Sequence, residues 1–237
     1  MWVDTLRSKT VDRQPNKNET TTPGLMSTVG LPSLERRLEF QRLLSQISTQ
    51  FIDLPPQEID EHITRALGAV GTFFNFNLVA ISKFLGKGDL GEVTHIWTAE
   101  GLPAIPPGFT NLDFPWLAET LIEGHPALLT RLDELPPAAQ RDRQTYETLG
   151  IRSAYNWPLQ VAKSTVGCLG LCSVGREQPF PPGYEEELQL LAQLMAGTLV
   201  RARADQALRE SQARLDLAAA AAGAGLWSLN LENQVFW

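Results

Sequence analysis

The sequence is poor in the groups that usually carry chemistry. Its 237 residues include two cysteines and three histidines. The thiols, Cys168 and Cys172, lie in one apolar alternating run, residues 166–174. Four residues along a strand span about 13 Å, beyond the roughly 7 Å between Cα atoms that a disulfide tolerates. The pair therefore shares a face without bridging, and small buried thiols are the expected reading. His62, His95 and His125 lack Cys or carboxylate company at ligand spacing, which argues against a zinc site. Excess positive charge is missing too: the formal net charge is -7 with no basic stripe, so the electrostatic footprint of nucleic-acid binding is absent. No stretch approaches the roughly 18 apolar residues of a membrane span, since the run from Leu217 ends at Gly223. Asp4, Arg7, Lys9 and Asp12 interrupt any apolar core of a signal peptide. A cytoplasmic location is the expectation. Apolar content of 43% is that of an ordinary folded chain.

What is present reads as ordered segments behind a polar tail. Residues 1–31 are aperiodic and centred on Asn16-Lys17-Asn18-Glu19-Thr20-Thr21-Thr22-Pro23-Gly24, a composition that predicts disorder. Ser33 is placed to cap a helix whose apolar stripe is Leu34, Leu38, Leu44, Ile47 and Phe51, ending before Pro55-Pro56. A second helix carries Ile59, Ile63, Ala66, Leu67, Val70 and Phe74 at i, i+3/i+4 spacing. His62 falls off that stripe and is expected to be solvated. Strands are predicted at 76–84 and 92–98, joined by the turn chemistry of Gly86-Lys87-Gly88-Asp89. A loop rich in Pro and Gly (101–113) precedes a short helix at 114–123, a strand at 126–132, and a loop and helix at 133–149. Gly150 closes that helix at a C′ position. Strands at 151–160 and 166–174 flank a turn around Ala162-Lys163-Ser164. Pro179-Phe180-Pro181-Pro182-Gly183 then leads into a helix from Tyr184 to about Arg214, about 45 Å long at 1.5 Å per residue. The order predicts an α/β (α+β) fold: a central antiparallel sheet with helices on both faces and a long C-terminal helix.

Four motifs in register make this specific. Leu149-Gly150-Ile151-Arg152-Ser153-Ala154-Tyr155-Asn156-Trp157-Pro158-Leu159 is followed by Val166-Gly167-Cys168-Leu169-Gly170-Leu171, then Gln178-Pro179-Phe180, then Glu185-Glu186-Glu187-Leu188-Gln189-Leu190-Leu191. Together they resemble the second half of a GAF domain, and the resemblance covers roughly 34–207. Residues 215–237 resemble the opening of a PAS sensor domain: a small-residue helix ending in Ala218-Ala219-Ala220-Ala221-Ala222, a break at Gly223-Ala224-Gly225, then Leu226-Trp227 and an alternating strand toward Trp237. Such a domain needs on the order of 100 residues, so a longer modular protein is expected. The division expected is a tail at 1–31, a GAF domain at 32–183, a helix and coiled-coil-like linker at 184–214 and the start of a PAS domain at 215–237.

The resemblance implies chemistries that can be tested on residues. Phytochrome-like GAF domains hold a bilin through a Cys-His pair shortly before the "GxRS" strand. Arg141-Asp142 stands there, so a covalent bilin is not expected. The Asn-Lys…Phe…Asp-Glu signature of cyclic-nucleotide-binding GAF domains is not assembled, Asp133-Glu134 being a lone acidic pair. Methionine sulfoxide reductases of the GAF type need a low-pKa thiolate, whereas Cys168 and Cys172 have no neighbouring Lys, Arg or His. His95 and His125 are chemically able to ligate a haem iron, although a lone His in either place is more often structural. No histidine sits in the His-Glu…Pro setting of a kinase phosphoacceptor helix, and neither an ATP lid nor Gly-Gly-Asp-Glu-Phe occurs. No enzymatic activity is expected of the chain itself.

In the family, a ligand lies between one sheet face and the helix-loop layer crossing it. Here that layer would comprise 112–116 and 128–146, and the pocket candidates are Ile81, Trp97, Phe114, Trp116, Tyr155 and Trp157. Each is equally suited to filling a core, so both roles stay open. The implied function is a sensory GAF module that binds a small ligand, dimerises through its terminal helices, or both. The expected parent is a bacterial GAF–PAS sensor histidine kinase. The alternatives are the input part of a cyclic-di-GMP enzyme or a free-standing GAF enzyme such as a sulfoxide reductase. In the long helix, Leu188, Leu191, Met195, Thr198 and Ala202 form a heptad-like seam, suited either to a dimer or to the protein's own sheet, while Leu208 and Leu215 follow a seam displaced by one position.

Overall fold

The computed structural model describes residues 33–51, 54–85, 89–102, 112–221, 229–230 and 235–236. The expected tail, most of the 101–113 loop, the Gly86-Lys87-Gly88 turn and the Gly-Leu-Trp segment lie outside the described residues.

Strands β1 (Leu78–Leu85), β2 (Asp89–Thr98), β3 (Ala127–Leu129), β4 (Ile151–Val161) and β5 (Ser164–Val174) form one antiparallel sheet in the order β2-β1-β5-β4-β3. Helices α1 (Leu34–Gln50), α2 (Ile59–Phe74) and α5 (Glu185–Ala221) cover one face, and α3 (Pro115–Ile122) and α4 (Gln140–Thr148) cover the other. This is the α/β arrangement the element order predicts. Among the described residues, no helix is long and apolar enough to cross a membrane.

Local chemistry sets most boundaries as expected. The Ser33 hydroxyl accepts from the Arg36 amide at 3.3 Å and starts α1. Gly150, at φ +69, follows the C-cap of α4. Ala162 and Lys163 turn the β4–β5 hairpin with φ of 48 and 68, the double positive φ that two-residue hairpins favour.

Two helices depart from the reading of the sequence. In α1 the buried side is Phe40 and Ile47, continued by Phe51, while Leu34 (75% exposed) and Leu38 (43%) face solvent. The six-residue step from Leu38 to Leu44 crosses the helix, so the expected stripe joined two faces. On α2 the predicted stripe is buried as expected, but His62 is half-buried rather than solvated, 3.9 Å from Glu58. Helix α5 runs unbroken past Arg214 to Ala221, 37 residues or about 55 Å. The small-residue helix at 215–221 is thus one piece with it. Beyond it, β6 (Leu229–Asn230) pairs antiparallel with β7 (Val235–Phe236), where a single strand was expected.

The helical face holds the aromatic core. Phe40, Phe74 and Tyr184 meet edge to face at 4.8–5.4 Å, a geometry worth about 0.5–1.5 kcal/mol per pair beyond area burial. The first half of α5 lies on β4 and β5 of its own sheet and buries Leu188, Leu191, Met195 and Thr198. That accounts for the first part of its seam. Leu208 and Leu215 are exposed. The Arg37 guanidinium donates to Glu187 at 3.1 Å and ties α1 to α5.

Candidate functional site

Successive strand residues point to opposite faces, so each strand divides its residues between two environments. On β1, β4 and β5 the helical face receives Val79, Ile81, Tyr155, Trp157, Leu169 and Leu171. The opposite face receives Leu78, Ala80, Ser82, Asn156, Cys168, Gly170 and Cys172, and these line a cavity of ≈ 90 Å³. Most of the second set are small. The space their missing atoms leave is the cavity.

Its roof comes from the layer expected to cross the sheet: Phe114 and Leu117 at the start of α3, and Tyr146 and Leu149 at the end of α4. Val93 and Ile96 close the side along β2. They stand three positions apart, an odd step, yet both face the cavity, because a register shift between Ile81 and Ser82 inserts an extra residue in β2.

The polar inventory is short. The Asn156 side-chain amide donates to the Tyr146 hydroxyl at 3.4 Å and accepts from the Cys168 thiol at 3.6 Å. Gly170 makes room for it, since a methyl there would approach Asn156 Oδ1 to 2.8 Å. Burial pushes the Cys172 thiol up to about 12. Burial, with Cys172 as neighbour, raises Cys168 further. Both are free thiols, held in their protonated form at neutral pH. Burial and the nearby thiols also hold the Tyr146 hydroxyl well above its ordinary value.

Asp142 sets the roof. It is fully buried on α4, and its carboxyl oxygens accept from the backbone amides of Leu117 at 2.9 Å and Trp116 at 3.2 Å. It therefore caps α3 from another helix and fixes the distance between the two covering elements. Burial raises its pKa against the opposing pull of those two amides. Its neighbour Arg141 is exposed and donates to Asp113 at 3.2 Å. The Arg141-Asp142 pair thus builds the roof rather than presenting a group to the cavity.

The six residues singled out from the sequence do not converge. Phe114 lines the cavity, its ring 4.9 Å from that of Tyr146. Trp116 packs half-buried against the same core without lining it. Ile81, Tyr155 and Trp157 point into the helical core on the other face. Trp97 lies against Gly68 and Gly71 of α2, where a methyl at either glycine would overlap its indole. The Tyr155 hydroxyl accepts from the Phe180 amide at 2.8 Å and donates to the Gln178 carbonyl at 3.0 Å, with Thr130 2.8 Å away. It pins the segment leading into α5. Aromatic bulk marks the opposite core, whereas the signal for the cavity is alternating small residues: Ala80 and Ser82, then Cys168, Gly170 and Cys172.

The histidines lie outside the cavity lining. His95 is buried on the helical side, its ring nitrogens 2.9 Å from Thr94 and 3.0 Å from Asp60. His125 is exposed beside Glu123. Among the described residues, no cluster of three or more His, Cys, Asp or Glu is arranged to hold a metal ion.

No protein-family model matches the chain, and no curated protein does. Solved structures do. The phycoerythrobilin-bound GAF domain of a cyanobacterial phytochrome aligns with a TM-score of 0.58 at 15% identity, over 72% of this chain and 99% of that domain. The chromophore-binding domain of a bacteriophytochrome from R. palustris aligns at 0.60 and 11% identity, over 74% of this chain and 65% of that one. The photosensory core module of the Stigmatella aurantiaca phytochrome aligns at 0.60 and 14%, over 77% of this chain and 41% of that one. At such identities the likeness concerns architecture alone, and it agrees with the sheet order and helix layers: this chain has a GAF-like α/β fold.

Proposed function

We propose that this chain is the sensory module of a bacterial signal-transduction protein, in which a small molecule held under α3 and α4 biases the position of α5. The observation that carries this reading is that β4 and β5 serve both partners. Asn156, Cys168, Gly170 and Cys172 face the cavity, and Tyr155, Trp157, Leu169 and Leu171, adjacent in sequence, face the core beneath α5. A displacement of the cavity floor is transmitted through one backbone to the base of the helix. A thiol-dependent reductase is not part of this reading, since burial keeps both thiols protonated and such an enzyme requires a thiolate.

The parent is best read as a GAF–PAS sensor histidine kinase that dimerises through its terminal helices. The sequence pattern at 215–237 and the exposed Leu208 and Leu215 on α5 support that reading. The cyanobacterial phytochrome domain holds phycoerythrobilin. A bilin linked at the Arg141-Asp142 position is not part of this reading, because neither residue is a thiol and Asp142 is committed to α3.

Deletions in the full-length protein test the helix. Removing the seven residues Arg203 to Arg209 preserves heptad phase and is expected to leave signalling largely intact. Removing three or four residues in that stretch breaks phase and should lock the output on or off. Equal responses to both would show that helix phase carries no signal.

A further inference from the structure

We infer that the cavity under α3 and α4 selects uncharged molecules of about four to six non-hydrogen atoms, with an apolar body and one hydrogen-bonding end directed at Asn156. This rests on the reading of that cavity as the ligand site and narrows it to a chemical class.

Size gives the first limit. At ≈ 90 Å³ the cavity is smaller than the roughly 150 Å³ space known to take benzene, so a nucleotide or a four-ring tetrapyrrole does not fit within its walls.

Charge gives the second limit. The fourteen described residues that line it are all uncharged, and ten of them are Leu, Ala, Val, Ile, Phe or Cys. An ion entering would lose its hydration without meeting a counter-charge, which disfavours it strongly. The end of a helix can relieve that cost for an anion, because its free amides point outward. Helix α3 begins at this cavity, with Phe114 and Leu117 in the wall. Its amides, however, are already occupied by the Asp142 carboxyl. The protein's own acid thus fills the helix end at which a ligand carboxylate or phosphate would be received.

Polarity gives the third limit. Asn156 is 5% exposed, and its amide has made one contact through the nitrogen and one through the oxygen. A side-chain amide has two donor hydrogens and an oxygen with two lone pairs, so capacity remains on both atoms for a ligand hydroxyl, amide or carbonyl. The remainder of the wall offers van der Waals contact.

Isobutyramide and isobutyrate, matched in shape and different in charge, test the inference on the whole chain. The readout is the methyl NMR shifts of Leu78, Val93, Ile96, Leu117 and Ile151 against Ile63 and Leu67 on the opposite face. Isobutyramide should shift the cavity methyls saturably, with a dissociation constant on the order of 1–10 mM for so few atoms. Isobutyrate should bind at least about tenfold more weakly. Ala80→Leu, or Cys172→Leu should the first variant not fold, should remove the response while Ile63 and Leu67 keep their shifts. Isobutyrate binding as well as the amide would overturn the inference, as would cavity methyls that respond to neither probe. Saturable binding of biliverdin at these methyls would overturn it too, yet leave the reading of the cavity as a ligand site standing.

Discussion

The two faces of the sheet are made from the same strands and differ in one respect, the size of the alternate side chains. One face carries Ile81, Tyr155, Trp157, Leu169 and Leu171 and is filled by α1, α2 and α5. The other carries Ala80, Ser82, Ala154, Cys168, Gly170 and Cys172 beneath two short helices, and a cavity remains. The filled face gives the domain its stability and the underfilled face gives it a place for something else. Where a fold must do both, bulk is as informative by its absence as by its presence.

The comparison is broken most severely at the thiols if they are exposed. A thiol titrating near 12 instead of 9.0 holds about a thousandth of the thiolate at neutral pH. Alkylation of Cys172 in the native protein should therefore be at least about a thousandfold slower than in denaturant, and Cys168 slower still. Native labelling within tenfold of the unfolded rate would place them outside the core.

Next in size is the contrast between the faces themselves. Trp157→Ala should cost about 4 kcal/mol in denaturant unfolding, as for a large aromatic in a filled core. Ser82→Val, toward the cavity, should change stability by less than about 1 kcal/mol in either direction. Similar losses at both sites would show that the faces are packed alike.

The smallest effect concerns the roof. Asp142→Ala should cost about 2 kcal/mol, through the loss of two cap hydrogen bonds inside the protein. Because burial places the Asp142 carboxyl above its ordinary value, its ionisation weighs against the folded state. That penalty is absent below the unfolded value near 3.8 and develops as pH rises through the folded one. The advantage of the native protein over Asp142→Asn should thus shrink as pH rises above about 4. An advantage that widens instead would show that the two amides outweigh burial.

How much of this was legible in the sequence follows from what each signal depends on. Period-3.6 spacing on α2, the Ser33 cap and Gly150 at the end of α4 are local, and all three stand where the residues put them. The phase of α1 was misread because Leu34 and Leu38 look apolar in sequence although they face solvent, and only Tyr184, Phe73 and Phe74 decide that Phe40 is the anchor. The covering layer of the site was legible through Phe114 and the 128–146 segment. Its floor was not, since strand alternation separates two sets without saying which faces which layer. Asp142 was recognised as the occupant of a known position, but its bond to Leu117, 25 residues away, had no sequence signature.

The unbroken α5 has one further consequence, which is one of leverage. The helix is held by the sheet over its first turns, and Leu199 is its last buried residue. Up to Glu210 it still borders a cleft with Asp60, Lys83 and His95, and from there to Ala221 it extends further, so that Arg203 to Ala221 spans about 28 Å with its residues exposed or half-exposed. A tilt of about 5° at the base carries the far end through about 2.5 Å, roughly half the pitch of a helix. The base adjoins the segment fastened by the Tyr155 hydroxyl, one residue from Asn156 in the cavity floor. Under the proposed sensory role, a small adjustment at the floor that tilts this base would be multiplied at the tip without any change in the shape of the helix itself.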